Sequence, residues 1–299
     1  MPAGTDRSPS ATAYFLVALA ALCWSGNHIL GRAIAGHVPP FAISTVRWVV
    51  PALVLWPLAH RHLRRDWPAI RSHWRVLLFL ALIGGTIFGA LQYIGLQYTT
   101  AINVSVLNSL APVLIVAAGT LIFRDTISPR QILGIAVSLA GVLTIISKGS
   151  LDILRALQFN WGDVIILFNM GVWAVYSACL RRRPIMHWLS FTFVLATVAA
   201  VTSLPFWLWE HANGFVLQPT PTTAAALAYV SVFPSLVAFA SWNRGVDLIG
   251  ANRAGVFLHL IPLYSAVLAS LLLGEEIGPH HVAGFLLILA GVWLAARKA

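Results

Sequence analysis

The sequence predicts an all-α integral membrane protein in which ten transmembrane helices form two inverted five-helix repeats around a central cavity. Three observations lead to this fold class: scarce charge, ten apolar runs, and an internal repeat. Only 9% of the 299 residues are charged and 59% are hydrophobic, whereas soluble domains carry about 25% charged residues. A soluble chain of this size cannot hide that much apolar surface from water, so lipid must surround most of it.

Most of the apolar runs reach or approach the length of about 20 residues that crosses a hydrocarbon layer. Polar, charged or proline- and glycine-containing breaks separate them, and the weakest breaks lie near Tyr98 and Val246, where a tight turn must join two helices. The predicted spans are residues 12–34, 40–60, 75–97, 101–123, 130–147, 161–181, 187–209, 222–244, 251–273 and 279–296.

The basic residues alternate between the two sides of the predicted membrane. With the amino terminus inside, fifteen Lys and Arg residues lie on the inner side and three, Arg32, Lys148 and Arg155, lie on the outer side. Arg47 is counted on neither side, because it lies about eight residues into the second predicted span from its outer end. Cytoplasmic loops carry the excess of basic residues. We therefore predict a multi-pass protein of the cell inner membrane with both termini in the cytoplasm, and a cytoplasmic loop at His60–Arg75.

The chain resembles itself at an offset of 150 residues. Gly95–Ile146 aligns without a gap with Gly245–Ala296, and 13 of the 52 positions are identical, where roughly five are expected by chance from the composition. Pro112 aligns with Pro262, and both prolines are predicted to kink their helices. Because each half has five spans, the second half must cross the membrane in the opposite sense.

The repeat sets the predicted domain organisation and function class. We predict a first repeat at residues 1–147, an extracytoplasmic linker at 148–160 and a second repeat at 161–299. Inverted repeats are common in secondary transporters, because two related halves can expose one site to each side in turn. The sequence therefore favours a secondary transporter that works by alternating access. An intramembrane enzyme and a receptor or scaffold without flux remain as alternatives.

The sequence lacks the motifs that several other classes of protein require. No metal-ligand spacing or phosphate-binding glycine loop is present, so we expect no metal, no cofactor and no enzymatic activity. The basic residues lie in short breaks and not along one face or tail, which argues against a nucleic-acid partner. The expected partners are a small-molecule substrate and the lipid bilayer. The sequence is compatible with a monomer but does not determine the oligomeric state.

Polar side chains recur at helical spacing within the spans. Polar groups are costly in lipid, so these should face protein or a wet cavity. Small and polar residues also hold transmembrane helices together, which is the alternative interpretation. The candidate substrate-binding residues are Trp24, Asn27, His28, Arg47, Gln92, Ser105, Asn108, Trp173, Tyr176, Ser177, Trp242 and His259.

Arg47 admits two interpretations, because a guanidinium inside a span needs an anionic or carbonyl partner. It either captures a substrate carboxylate or bonds helix carbonyls. No Asp or Glu lies in the middle of a span, which favours a zwitterionic or anionic substrate over a lipophilic cation. Two modes of energy coupling are compatible with the sequence. Facilitated diffusion needs no titrating group, whereas proton coupling needs a proton site, for which His28 or His259 has the chemistry.

Each half resembles one unit of the drug/metabolite transporter superfamily, the ten-helix exporters called EamA-type. The resemblance rests on Trp24, Arg47, Pro112, Pro262, the Asn- and Ser-containing start of span four and the Gly-Val endings of spans five and ten. It implies a basket of helices around the cavity, with spans five and ten at the periphery. It also implies export of small metabolites, with bacterial amino-acid exporters as the nearest type. Together with the missing carboxylates, this leads us to expect export of amino acids with aromatic or neutral side chains. Multidrug, nucleoside or sugar efflux is the alternative within the superfamily.

Overall fold

The computed structural model describes residues 11–34, 38–156, 158–273 and 277–296, and every regular element within them is a helix. The predicted all-α fold class is therefore confirmed. Glu275, Glu276 and both chain termini lie outside the described residues, as do the side chains of the two candidate site residues His28 and Ser105.

The first five spans contain two interrupted helices. Span three is interrupted by a π-helical turn, and span four is broken between two α-helices. The elements are α1 (Ala11–Ala33), α2 (Pro40–Ser72), α3 (Trp74–Ala81), the π turn (Leu82–Ile87), α4 (Phe88–Tyr98), α5 (Ala101–Asn108), α6 (Ala111–Phe123) and α7 (Pro129–Ile146).

The second five spans repeat this pattern after a short linker helix. Span eight contains a π turn, and span nine contains a 3-10 turn just before Pro262. The elements are α8 (Leu151–Arg155), α9 (Trp161–Cys179), a 3-10 turn (Leu180–Arg182), α10 (Trp188–Ala212), α11 (Pro221–Val230), the π turn (Ser231–Val237), α12 (Ala238–Ile249), α13 (Ala251–Val256), the 3-10 turn (Phe257–His259), α14 (Leu260–Leu273) and α15 (Pro279–Ala296).

Each of the ten predicted spans coincides with a helical stretch. Eight helices of the described residues are long and apolar enough to cross a membrane, and the segment Ala11–Asn27 of α1 is a shorter apolar helical stretch. The tight turn predicted near Val246 lies at Gly250, whose φ of 80° only glycine adopts readily. The kinks predicted at Pro112 and Pro262 are seen as the break before α6 and the 3-10 turn before α14.

The second helix is longer than predicted. The stretch His60–Arg75, interpreted from its charge as a loop, continues α2 as far as Ser72. Its leucine, alanine and arginine residues favour a helix, and it contains no glycine. Pro57 and Pro68 lie inside this helix, where each removes one backbone donor without ending it.

The helices of each repeat pack largely against the other repeat. Helix α1 packs against α12 and α14, and its counterpart α9 packs against α4 and α6. In the same way α2 pairs with α10, and α7 pairs with α15. This exchange of equivalent partners is the pattern expected from a two-fold axis that relates two halves.

Four glycines bring α7 and α15 into close contact. Gly134 faces Gly291 and Gly141 faces Gly284, so the two helices run antiparallel. A Cβ on Gly134 would lie 2.7 Å from the carbonyl oxygen of Gly291, and one on Gly141 would lie 2.7 Å from that of Gly284. Small residues allow this close backbone approach between membrane helices.

Helices α2 and α10 cap each other at opposite ends. The backbone N–H groups of Phe41 and Ala42 donate to the Glu210 carboxylate at 3.0 and 3.1 Å. At the other end, the backbone N–H of His187 donates to Asp66 at 2.9 Å. A carboxylate at a helix amino terminus satisfies free donors and the helix dipole, and stabilises it by about 0.3–1 kcal/mol. The antiparallel pair is thus fixed at both ends.

Candidate functional site

The centre of the bundle is a cluster of aromatic rings. The repeat-related side chains of Trp24 and Trp173 meet there edge to face, with ring centroids 5.1 Å apart. Trp242 lies 5.6 Å from Trp24 and 5.5 Å from Trp173, and Phe239 also contacts both. Tyr176 packs against Trp173 at 5.2 Å. These five rings, the aromatic cluster, are all buried.

A small cavity lies beside the aromatic cluster. Its volume is about 40 Å³, far below the roughly 300–1,000 Å³ of pockets that hold small molecules. It is lined by Trp24, Asn27, Arg47, Phe88, Gln92, Asn108, Ala111, Met170, Trp173, Leu258 and Ile261. In this conformation the cavity is too small to hold a metabolite.

Arg47 is the charged residue of this lining, and its side chain is 1% exposed. Its Nε donates to the hydroxyl of Ser235 at 2.7 Å, and a terminal nitrogen lies 3.5 Å from the Tyr93 hydroxyl. The guanidinium also lies 5.3 Å from the ring centroid of Trp48. Within the described residues no Asp or Glu forms an ion pair with it. A buried cation of this kind is costly unless an anion neutralises it.

Amide side chains form the polar part of the lining. The Tyr93 hydroxyl donates to Asn27 at 2.9 Å. The Asn169 amide donates to the Phe88 carbonyl at 3.1 Å and to the Gln92 side chain at 3.2 Å. The Gln92 amide nitrogen is buried and has no partner in the part of the chain that is described. It is therefore a donor available to a ligand in the cavity.

The two π turns hold the walls of the site in equivalent ways. A π turn shifts the backbone ladder and leaves carbonyl groups free for other partners. The Trp48 indole donates to the carbonyl of Gly85 at 3.2 Å in the first turn. The Trp24 indole donates to the carbonyl of Pro234 at 2.9 Å in the second. Trp24 thus connects span one to the π turn of span eight.

His259 joins the two interrupted helices of spans four and nine. Its Nε2 donates to the carbonyl of Ser109 at 2.8 Å, and its Nδ1 lies 2.6 Å from the Ser138 hydroxyl. Ser109 is the repeat partner of His259 and lies in the break between α5 and α6. The side chain of His259 is fully buried. The two helix breaks therefore touch each other close to the two-fold axis.

Comparison with known proteins decides the family. The sequence profile described as the EamA-like transporter family matches residues 11–147 and again residues 160–297. The chain belongs to the EamA-like transporter family. It is accordingly a multi-pass membrane transporter and not an enzyme. The two matches, one in each half, agree with the duplicated architecture described above.

Relatives of this EamA-family transporter cover nearly its whole length. An uncharacterised transporter of Archaeoglobus fulgidus is 30% identical over 294 residues, which are 95% of this chain and 97% of that protein. A probable terminal-alkyne amino-acid exporter of Streptantibioticus cattleyicolor is 28% identical over 262 residues, which are 85% and 82% of the two chains. A solved crystal structure with 20% identity superposes with a TM-score of 0.76 and covers 95% of this chain and 96% of its own, and so has the same fold.

The structure brings half of the candidate residues of this EamA-family transporter to the cavity. Four others lie outside the lining: Tyr176 and Trp242 belong to the aromatic cluster, Ser177 is buried on α9, and His259 bonds the helix breaks. The candidates that line the cavity are Trp24, Asn27, Arg47, Gln92, Asn108 and Trp173.

Sequence reasoning missed the apolar half of the lining. Phe88, Met170, Leu258 and Ile261 face the cavity, but apolar residues that face a cavity and those that face lipid look alike in sequence. Tyr93 was missed as well, although it follows Gln92 directly and links Arg47 to Asn27. Its hydroxyl within an apolar span was the signal that could have identified it.

Proposed function

We propose that this transporter exports amino acids with aromatic or neutral side chains, and that Arg47 binds their carboxylate. The observation that carries the proposal is a buried guanidinium with no carboxylate partner in the described residues, beside a lining that is otherwise apolar, aromatic or amide. A planar guanidinium matches a carboxylate with two parallel hydrogen bonds. The substrate carboxylate would thus supply the anionic partner that Arg47 lacks.

The rest of the lining supports the same substrate class. Phe88, Met170, Leu258 and Ile261 offer an adaptable apolar surface to a side chain. Asn27 offers an amide oxygen to an ammonium group. No Asp or Glu belongs to the described lining, which makes a lipophilic cation a poor substrate. The probable amino-acid exporter of S. cattleyicolor adds support from a relative.

The proposed mechanism is alternating access between two repeats, 1–147 and 161–299, joined by an extracytoplasmic linker at 148–160. The small volume of the cavity means that the helices must part to admit a substrate. The break before α6 and the 3-10 turn before α14 are suitable pivots, because neither helix is continuous there. Since His259 bonds across both breaks, movement at one pivot is expected to affect the other.

Transport by purified protein in liposomes tests the proposed function. Vesicles loaded with an unlabelled amino acid should take up the same labelled amino acid by counterflow. A panel of amino acids, nucleosides, sugars and lipophilic cations defines the substrate class. We expect phenylalanine or leucine uptake above that of protein-free liposomes, and no such excess for tetraphenylphosphonium. Uptake confined to cations, nucleosides or sugars would refute the amino-acid proposal.

Loss of either central tryptophan should impair transport. Trp24→Ala and Trp173→Ala each remove several ring contacts, and aromatic pairs contribute about 0.5–1.5 kcal/mol each beyond burial. We expect counterflow per folded protein to fall at least about tenfold, the effect of ~1.4 kcal/mol.

The matched control for these variants is Trp161→Ala, since Trp161 is 80% exposed. Trp24→Phe and Trp173→Phe, which keep a ring, guard against simple misfolding and should retain more flux than the alanine variants. Equal flux in wild type and both alanine variants would mean that the rings do not take part in transport.

We also propose that the Arg-rich end of the bundle faces the cytoplasm of a cell with an inner membrane. The fifteen-to-three distribution of basic residues supports this orientation. Both native cysteines are buried, so a variant that lacks them gives a clean background for Trp67→Cys on the exposed end of α2. Impermeant thiol reagents added to intact cells should not label it, but should label it in inverted vesicles. Labelling in intact cells would reverse the proposed topology.

A further inference from the structure

A large groove lies between the Arg-rich end of α2 and the start of α10, and it shares no lining residue with the central cavity. Its volume is about 740 Å³. Trp56, Leu63 and Phe193 form its apolar floor, and His60 and Arg64 lie along the polar side. The groove owes its existence to the extension of α2, because the residues beyond Ala59 continue as a helix instead of turning away.

The floor of the groove is apolar and open. Trp56 packs against Phe193 with ring centroids 5.6 Å apart, yet Trp56 remains 58% exposed. Trp67, further along α2, is 60% exposed. Tryptophan is enriched where a membrane protein crosses from hydrocarbon to headgroups. An acyl chain in the groove would cover surface that is otherwise left open.

The length of α2 locates the groove at the same boundary. Its 33 residues measure about 50 Å at ~1.5 Å per residue, and the hydrocarbon layer is only about 30 Å thick. Because the helix begins at Pro40, some twenty residues bring it to the far side of the hydrocarbon near His60. The apolar floor therefore borders acyl chains and the polar side borders headgroups.

The polar side of the groove is basic and lacks counter-charges. The extension carries Arg61, Arg64, Arg65 and Arg71 against a single carboxylate, Asp66, which accepts the backbone N–H of His187. Arg64 forms no ion pair within the described ranges. An exposed arginine beside an apolar groove has the charge and geometry to bind a phosphate.

We propose that this groove binds one anionic phospholipid, with its phosphate on Arg64 beside His60 and an acyl chain along Trp56, Leu63 and Phe193. His60 contributes a hydrogen-bond acceptor, because its Nδ1–H donates to the carbonyl of Pro57 at 2.8 Å and leaves the Nε2 lone pair available to a headgroup hydroxyl. The excess of arginine over carboxylate selects an anionic over a zwitterionic lipid. The lipid would bridge α2 and α10 beside the contact between Asp66 and His187. The site is independent of the transported substrate.

Native mass spectrometry of the full-length protein, stripped of lipid in detergent, tests this site. Phosphatidylglycerol and phosphatidylcholine with identical acyl chains are titrated in parallel, and the fraction of protein that retains one lipid is measured. We expect wild type to retain phosphatidylglycerol in preference. Arg64→Gln should weaken that retention about fivefold, the contribution of one arginine near an anionic surface. The Arg64 side chain is exposed, so folding should be unaffected.

The matched control is Arg65→Gln, which removes the same charge from the next residue of the helix but lies outside the groove lining. It should bind phosphatidylglycerol like wild type. An equal loss in both variants would indicate diffuse attraction and overturn the site. Equal retention of the two lipids by wild type would also overturn it. Glycerol phosphate should not compete, and effective competition by it would indicate a phosphate site without an acyl chain, contrary to the proposal.

Discussion

Arg47→Gln is expected to abolish amino-acid transport. If Arg47 binds the substrate carboxylate in the buried cavity, the variant leaves that carboxylate without a partner. Breaking a buried ion pair costs about 3–5 kcal/mol, so counterflow should fall at least about a hundredfold. Arg47→Lys keeps the charge but loses the planar pair of donors, and should also be strongly impaired.

Ligand-induced stabilisation separates this role from a structural one. An amino acid should raise the melting temperature of wild type but not of Arg47→Gln, because only a ligand that binds the folded state stabilises it. The corresponding amine without a carboxylate should stabilise neither. Arg155→Gln, which removes an exposed charge, is the control and should behave like wild type. Stabilisation of Arg47→Gln by the amino acid to the same extent as wild type would assign Arg47 to helix packing.

Gly291→Leu should prevent the repeats from packing together. A Cβ at this position would lie 2.6 Å from the carbonyl oxygen of Gly134, and a backbone atom of the facing helix cannot move aside as a side chain can. The cost should exceed the ~1–3 kcal/mol of ordinary overpacking. We expect little monodisperse protein after detergent extraction, and a marked fall in melting temperature even for the smaller change Gly291→Ala.

The matched control is Gly171, which also lies within a helix but where a Cβ would meet nothing within 4 Å. Gly171→Ala and Gly171→Leu should extract and melt like wild type. If Gly291→Leu gives as much stable protein as Gly171→Leu, the close α7–α15 contact is not needed for the fold.

The candidate site was only partly predictable from the sequence. Trp24, Arg47, Gln92 and Trp173 were identified because polar and aromatic groups at helical spacing are costly in lipid unless they face protein. The same rule selected His259, but a polar group is equally satisfied by another helix. Its bonds to Ser109 and Ser138 are of this kind. Periodicity shows which side chains share one face of a helix, but it does not show whether that face meets another helix or a cavity.

The extent of α2 shows a similar limit. The charge in the stretch His60–Arg75 correctly marked the end of the hydrophobic span. It did not show whether the helix ended there as well, because a basic segment at a membrane surface can be helical or irregular. The two π turns had weaker signals still, a pair of glycines in one and Pro234 in the other. Their role became visible only when each was seen to accept an indole N–H.

The sequence alone determined that this protein is an all-helical membrane protein with ten spans in two related halves of opposite direction. It could do so because the absence of water in the bilayer forces apolar spans of fixed length, and because an odd number of spans per repeat forces inversion. Only the tertiary structure decided which polar faces meet: Trp24 with Trp173 beside a small cavity, Arg47 with Ser235, and His259 with Ser109. These contacts depend on how ten helices rotate and pack against one another, and packing geometry is not encoded in the periodicity of any single helix.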